Sequence, residues 1–431
     1  MHKYFSSLKY VLSISINAFI GIIVFLILLP FVLIFRQMKS KVVGENETLL
    51  LAGVETSNNM RNISAVLAES RIYKVYVHEF IENPLYKEDG FSPWVHNIRF
   101  GVWCSSDHFL IRSGKRAIRF IVFLKMLLKI DIFFFNWTVS YLPLNLDYLL
   151  IKAARKKLIV RHCGSDVRYR PLQHAIHRSF GVSQWFGAKS SPVDLAIKLY
   201  KQCFSELTAI VLSTRDHATF QYYPLVERPY IQMPLPRTVG LSLEKKLILH
   251  APSDPSIKGT SIVIKAIQIL ETCRKDFEFL LLTGMPHEEV LQVLKRTTIL
   301  IDQPGAVPAR LATEGFASGC VVIGGNVLEL HGYDDCPSIQ FPDHAEKLAQ
   351  ILDKLLSNQE EMETLADLSY SFWLDHFSPE AYNSYFVKVL KGQARMFSRV
   401  KNHEIIMINA TTVWYEKLAV RLRYGKWFEA I

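Results

Sequence analysis

The sequence is poor in the features that staple small folds or hold metals. Its six cysteines, at 104, 163, 203, 273, 320 and 336, are scattered and include no Cys-x-x-Cys pair. That pattern fits a reducing compartment, argues against a disulfide framework and lends nothing to zinc chemistry. Internal repeats and low-complexity tracts are lacking, so neither a solenoid nor a disordered linker protein is indicated. No nucleic-acid motif accompanies the positive charge, which makes nucleic acid a weak explanation for it. The net charge of +10 instead fits work beside anionic lipid, nucleotide phosphates or both.

Apolar residues, by contrast, are abundant. Half of the 431 residues are hydrophobic, 27 are Phe, and mean hydropathy is +0.14. This length accommodates two ordinary domains with extra segments. Residues 11–35 form a run of 25 without a charge, long enough to span about 30 Å of hydrocarbon as a helix. The run is longer than a signal-peptide core and lacks a small-residue cleavage site, so the expectation is an uncleaved N-terminal anchor. Lys3 and Lys9 precede it and Arg36, Lys39 and Lys41 follow, a slight excess that favours a cytoplasmic body. Pro30 offers a kink or a re-entrant turn as the alternative to a single span.

Beyond the run, apolar strands alternate with periodic helices. Residues 48–53 read as a strand, 59–69 as a helix and 73–78 as the next strand. Over 111–130, Arg112, Lys115, Arg116, Arg119, Lys125 and Lys129 share one side of a helical wheel opposite Ala117, Phe120, Ile121, Leu124 and Leu128. That helix suits an anionic interface, but the strand at 131–136 directly after it favours ordinary packing on a sheet. Strands follow at 158–162 and 207–213. Four prolines within 224–236 then mark a linker.

The second half repeats the alternation. The run Leu247-Ile248-Leu249-His250-Ala251 breaks at Pro252-Ser253-Asp254-Pro255, and Lys258-Gly259-Thr260 opens a helix. A lysine beside a helix N-terminus suits a phosphate, because the backbone N–H groups and the positive dipole end face the anion. Strands at 277–284 and 299–303 bracket a helix at about 286–295. Residues 312–319 form a helix carrying Glu314 and closed by Gly319, with a strand at 320–323 behind it. Alternating βα units imply parallel sheets, which bind ligands at the carboxyl ends of their strands. An amphipathic helix at 346–356, a terminal helix at 378–390 and a tail mixing Trp414, Leu418, Leu422 and Trp427 with Lys417, Arg421, Arg423 and Lys426 complete the chain. For the tail, a membrane-surface contact and a solvated extension are both open.

The segment around Lys258-Gly259 and Glu314-Gly315-Phe316-Ala317-Ser318-Gly319-Cys320-Val321-Val322-Ile323 resembles the donor half of the GT-B glycosyltransferases, especially the retaining group active in bacterial capsule and lipopolysaccharide synthesis. Cys163-Gly164-Ser165-Asp166-Val167-Arg168 is similar to that group's His-Gly-Ser-Asp-x-Arg segment on the acceptor side. Two departures stand out. Ala306 occupies the position of the family's second glutamate, and residues 251–257 lack the arginine that ordinarily precedes the lysine. Cys163 stands where the family has histidine. His162, one residue earlier, points to the other face of a strand.

The resemblance implies an α/β protein of two Rossmann-like domains facing a cleft. The expected division is an anchor at 1–41, an acceptor-side domain at 42–236, a donor domain at 237–377, and a crossing helix with a basic tail at 378–431. It implies donor contacts from Lys258, Gly259, Gly284, Glu314 and Gly315, and acceptor-side contacts from His162, Gly164, Asp166 and Arg168. Lys258 and Asp166 are the catalytic candidates, although Asp166 and Gly164 read equally well as turn residues. The expected partners are a nucleotide-sugar donor, a lipid-linked or cell-surface glycan acceptor and the membrane, with no metal and no separate cofactor. A degenerate GT-B module that binds a nucleotide sugar or glycan without turnover is the second reading, and a sugar-nucleotide epimerase of the same fold the third.

Overall fold

A computed structural model describes residues 19, 21–34, 47–55, 59–81, 91–102, 104, 107–182, 191–215, 225–227, 230–256, 258–397, 407, 409 and 413–424. The chain divides into two compact units. Unit 1 comprises Met1–Val167 with Lys201–Ser213, and unit 2 comprises Arg168–Tyr200 with Thr214–Ile431. The units therefore divide ahead of the proline-rich 224–236 stretch, and residues 168–200 belong with the second.

In unit 1 the strands β1 (Glu47–Val54), β2 (Tyr73–Ile81), β3 (His96–Asn97), β4 (Ile132–Asn136), β5 (Lys157–Arg161) and β6 (Ile210–Ser213) lie in the order β6-β5-β4-β1-β2-β3. Every pairing among them is parallel. A parallel sheet is covered on both faces, which is why its strands read as unbroken apolar runs. Phe133 and Phe135 of β4 enter one core with Leu50, Ala52 and Val160, while Phe134 between them points to the opposite face. Each of the three rings is fully buried, a burial worth roughly 1.5–3 kcal/mol apiece.

The helices 21–34 (α1) and Phe109–Lys129 (α3) both pack on the Phe133 and Phe135 core. Val24, Phe25, Leu28, Leu29 and Val32 form the inward stripe of α1, and a side chain at Gly21 would meet Pro143 at 3.1 Å. Of the apolar 11–35 run, residues 11–18, 20 and 35 lie outside the described residues. Among the described residues no helix is long and apolar enough to cross a membrane. The expected transmembrane helix therefore has no support among the described residues, where α1 lays one side on the unit 1 core. The wheel drawn for α3 also changes. Arg119 is buried against the Phe80 ring at 4.8 Å, whereas Ile118, Ile121 and Leu128 face outward.

Unit 2 holds β8 (Lys246–His250), β9 (Phe277–Leu281), β10 (Ile299–Ile301), β11 (Val321–Gly324) and β12 (Ile339–Gln340) in the order β12-β11-β10-β8-β9, again all parallel. Its helices α7 (Thr260–Cys273), α8 (His287–Leu294), α9 (Arg310–Ser318) and α11 (Ala345–Leu356) alternate with these strands. Gly319 takes the left-handed conformation that closes α9, with φ +67°. A short antiparallel pair, β7 (Leu225–Glu227) with β13 (Met396–Phe397), lies in the same unit. The helix Trp414–Tyr424 buries Ala419 and Val420 against Tyr169, Leu172 and Ile176, and the Tyr169 hydroxyl donates to Glu416 at 2.7 Å. The tail is thus docked on unit 2 through residues 414–424.

Candidate functional site

A doubly wound sheet opens a crevice where its strand order reverses, because consecutive helices leave to opposite faces there. In unit 2 that point lies between β8 and β10, where His250 pairs in register with Ile301. The residues following both strands converge on it. After β8 the chain turns through Asp254, whose carboxylate accepts from the Ser256 N–H at 3.0 Å and its hydroxyl at 2.7 Å. It then presents Lys258, half-buried, and Gly259 at the start of α7.

Gly259 has φ +73°, and a side chain there would meet Pro304 at 2.9 Å and Phe341 at 3.2 Å. Glycine is required by both the conformation and the approach. Among the described residues no side chain caps the N-terminus of α7. Across the crevice, the Lys258 ammonium donates to the Oε1 of Gln303, two residues beyond β10.

Asp302, between Ile301 and Gln303, is buried, and its Oδ2 accepts from the Ala309 N–H at 3.2 Å. Burial pushes its carboxyl up to about 6, opposed by the nearby Lys258 charge and reinforced by Glu314. Asp302 therefore feels both motif residues at once, and sequence reasoning had passed it over as a strand end. His250 is held neutral by burial, with its pKa lowered to about 4. Its ring nitrogens bond the Ile301 carbonyl at 2.8 Å and the Thr260 hydroxyl at 3.0 Å, tying β8, β10 and α7 together.

Glu314 sits one turn into α9, nearly fully buried, and its Oε1 accepts from Arg310 Nε at 3.2 Å and bonds His287 Nε2 at 2.9 Å. Arg310 also donates to the Ile231 carbonyl at 2.5 Å. A carboxylate held through one oxygen by a cation and an imidazole has its direction fixed, and its other oxygen remains chemically able to accept from a hydroxyl. Arg310 is one helical turn before Glu314, a spacing that could have flagged it. His287 opens α8 and Gln303 lies in the loop after β10, and no local pattern marks them.

The remaining expected donor residues divide. Gly284 has φ +66° with open space around it. Gly315 does not face the crevice: a side chain there would strike Leu300 at 2.5 Å and Val322 at 2.9 Å, so it is the contact that lets α9 lie close on the sheet. Ala306, where the resemblance leads one to look for a carboxylate, is buried among Tyr169, Val327 and Leu330. One residue on, Val307 and Pro308 line a small cavity of about 10 Å³ with Thr214, Glu227, Tyr230, His331, Tyr333 and Phe377. Burial raises the Glu227 carboxyl, and Tyr333 hydrogen-bonds it.

On the acceptor side, Asp166 is buried and fully engaged by backbone. Its Oδ1 accepts from the N–H groups of Cys163 at 3.1 Å and Gly164 at 2.8 Å, and its Oδ2 from Thr138 N–H at 2.9 Å. These bonds organise the turn after β5 and join it to the segment after β4. His162 is buried with Nδ1 3.1 Å from the Ser213 hydroxyl. Gly164 adopts φ +127°, and Arg168 is half-buried and belongs to unit 2. Asp166, His162 and Gly164 thus share one turn of unit 1, whereas Lys258, Gly259, Glu314 and the crevice belong to unit 2.

No protein-family model matches the chain, and no curated protein matches it in sequence. Solved structures do. Alr3699/HepE from Anabaena in complex with UDP and glucose superposes with a TM-score of 0.52 at 12% identity, covering 80% of this chain and 100% of that one. Its complex with UDP-glucose gives 0.51 at 11%, covering 80% and 99%. A glycosyltransferase from Rickettsia africae gives 0.47 at 14%, covering 81% and 100%. The fold is that of the GT-B glycosyltransferases. At such identities the likeness concerns the two parallel-sheet α/β domains. The crevice described above stands on its own geometry.

Proposed function

We propose that the chain is a glycosyltransferase that moves a sugar from a nucleotide-sugar donor, held at the β8–β10 crevice of unit 2, to a lipid-linked or cell-surface glycan at a membrane. The observation that carries this reading is the helix α7: among the described residues no side chain caps its N-terminus, and Lys258 stands beside it at the strand reversal. A diphosphate there would replace Gln303 as the partner of Lys258 and accept from the α7 backbone N–H groups. The same groups would stabilise the charge that grows on the leaving diphosphate, electrostatic catalysis that calls for no metal. Glu314, oriented by Arg310 and His287, is the residue for the ribose hydroxyls. Retention of configuration and a role in capsule or lipopolysaccharide assembly follow the resemblance in the motifs.

A second reading, a nucleotide-sugar-binding module without turnover, is favoured by Ala306 lying in an apolar cluster and by the arginine missing from 251–257. Because the Anabaena structures hold UDP and UDP-glucose, uridine nucleotides are the first donors to test. Calorimetry with UDP-glucose, beside a transfer assay with membrane extract as acceptor source, separates the readings. Binding with transfer supports the enzyme, binding without transfer the module, and neither across a panel of nucleotide sugars removes the donor site.

A further inference from the structure

The helix α1 has two apolar faces. Its inward positions recur at 21, 24, 25, 28, 29 and 32, the spacing of an amphipathic helix laid on a core. On such a helix the outward positions are ordinarily polar. Here Ile22, Ile23, Leu26, Ile27, Phe31 and Ile34 all face outward and are exposed, and no charged or hydrogen-bonding side chain occurs between 21 and 34. Exposed contiguous apolar surface of this kind marks a site that something covers.

The neighbouring α3 indicates what covers it. It packs on the same core cluster and carries no acidic residue along its 21 positions. Its outward side mixes Ile118, Ile121 and Leu128 with exposed Arg116, Lys125 and Lys129. Apolar side chains that reach past a row of cations match the boundary of an anionic bilayer, where acyl chains take the former and headgroup phosphates the latter. Both helices cover one face of the unit 1 sheet, so their outer sides belong to one surface of that unit.

We infer that unit 1 docks peripherally on an anionic lipid leaflet, with the outer face of α1 lying in the interface and the basic side of α3 against the headgroups, and that residues 21–34 do not span the bilayer. This deepens the membrane element of the proposed function, but it rests on surfaces of unit 1 and is independent of the donor site.

The test uses the full chain in flotation assays with vesicles of phosphatidylcholine alone and of phosphatidylcholine mixed with phosphatidylglycerol. Wild type is expected to float with the mixed vesicles, to bind the neutral ones more weakly, and to be released by alkaline carbonate. Leu26→Glu with Phe31→Glu is expected to lower binding to both vesicle types by about tenfold or more. Arg116→Glu with Lys125→Glu is expected to abolish the preference for the anionic vesicles. Light scattering and thermal unfolding of each variant verify that folding is unchanged, and the milder Phe31→Ser serves if the double variant misfolds. Carbonate-resistant association would overturn the inference in favour of a span. Equal flotation of wild type and both variants would also overturn it. So would a wild type that ignores vesicles but forms a dimer broken by Leu26→Glu with Phe31→Glu, which would assign the face to a second copy of the chain.

Discussion

The two units repeat one design and end it differently. Each is a parallel sheet whose strand order reverses once, and at each reversal a helix begins just beyond the strand: α2 (Asn59–Glu69) after β1 and α7 after β8. In unit 1 the protein fills this place itself. The buried Glu55 carboxylate accepts from the N–H groups of Met60 at 3.2 Å and Arg61 at 3.1 Å, so the helix N-terminus already holds an anion. The reversal is closed further by Arg161, which donates to Asn136 at 3.0 Å and Asn59 at 3.1 Å. In unit 2 no side chain among the described residues caps α7, and a lysine stands beside the helix start. The same geometry is thus internally satisfied in one unit and left open in the other.

The buried ionisable groups show the same contrast. Among the described residues each unit has one histidine whose pKa burial lowers to about 4, His78 and His250, and one aspartate that burial raises to about 6, Asp147 and Asp302. Asp147 is bound by its own loop, through the Ser140 hydroxyl at 2.5 Å and the N–H groups of Tyr141 and Leu142 at 3.1 and 3.3 Å. Asp302 lies instead within reach of Lys258 and Glu314.

If unit 1 is self-satisfied, its turn residues act on stability alone. Asp166→Ala should leave three backbone N–H groups without their acceptor and cost about 2–4 kcal/mol in denaturant unfolding of unit 1. Donor affinity should be unchanged. Lost affinity at full stability would instead give Asp166 a role at the ligand. Lys258→Ala is the converse: a charge-assisted contact worth roughly 1.5–3 kcal/mol disappears, weakening nucleotide-sugar binding about ten- to a hundredfold with the unfolding midpoint unmoved.

A smaller effect concerns pH. The Asp302 carboxyl is raised in the folded state, so its contribution to stability is present below its ordinary value near 3.8 and is lost as pH rises through about 6. Asp302→Asn removes that loss. The variant should gain on wild type by about 1–3 kcal/mol between pH 4 and pH 7, as read from unfolding at several pH values. Taking the difference between the two proteins cancels His250, whose lowered pKa acts with the opposite sign over the same range. A difference independent of pH would mean that Asp302 titrates normally.

Much of this was legible in the sequence where local chemistry decides. The helix 59–69, the strand at 277 and the Lys258-Gly259 turn follow from apolar runs broken by Pro, Gly and Asp, and the structure places them there. What local pattern could not show was which residues fold back together. Gln303 joins the site from the loop after β10 and His287 from the start of α8, and Tyr169 meets Glu416 across 247 positions. The stripe that packs α1 onto the core was hidden for another reason: both of its faces are apolar, so no periodicity separates the buried face from the exposed one. The packing role of Gly315 was equally hidden, because a glycine beside Glu314 reads as a ligand contact, whereas here it gives α9 room against Leu300.

The contrast between the two helix N-termini is tested most directly by hydrogen exchange, followed by mass spectrometry, on the full chain with and without saturating UDP-glucose. The account predicts added protection in peptides covering 258–263 and 302–314, and none in those covering 55–61. Protection confined to 55–61, with 258–263 unchanged, would contradict it.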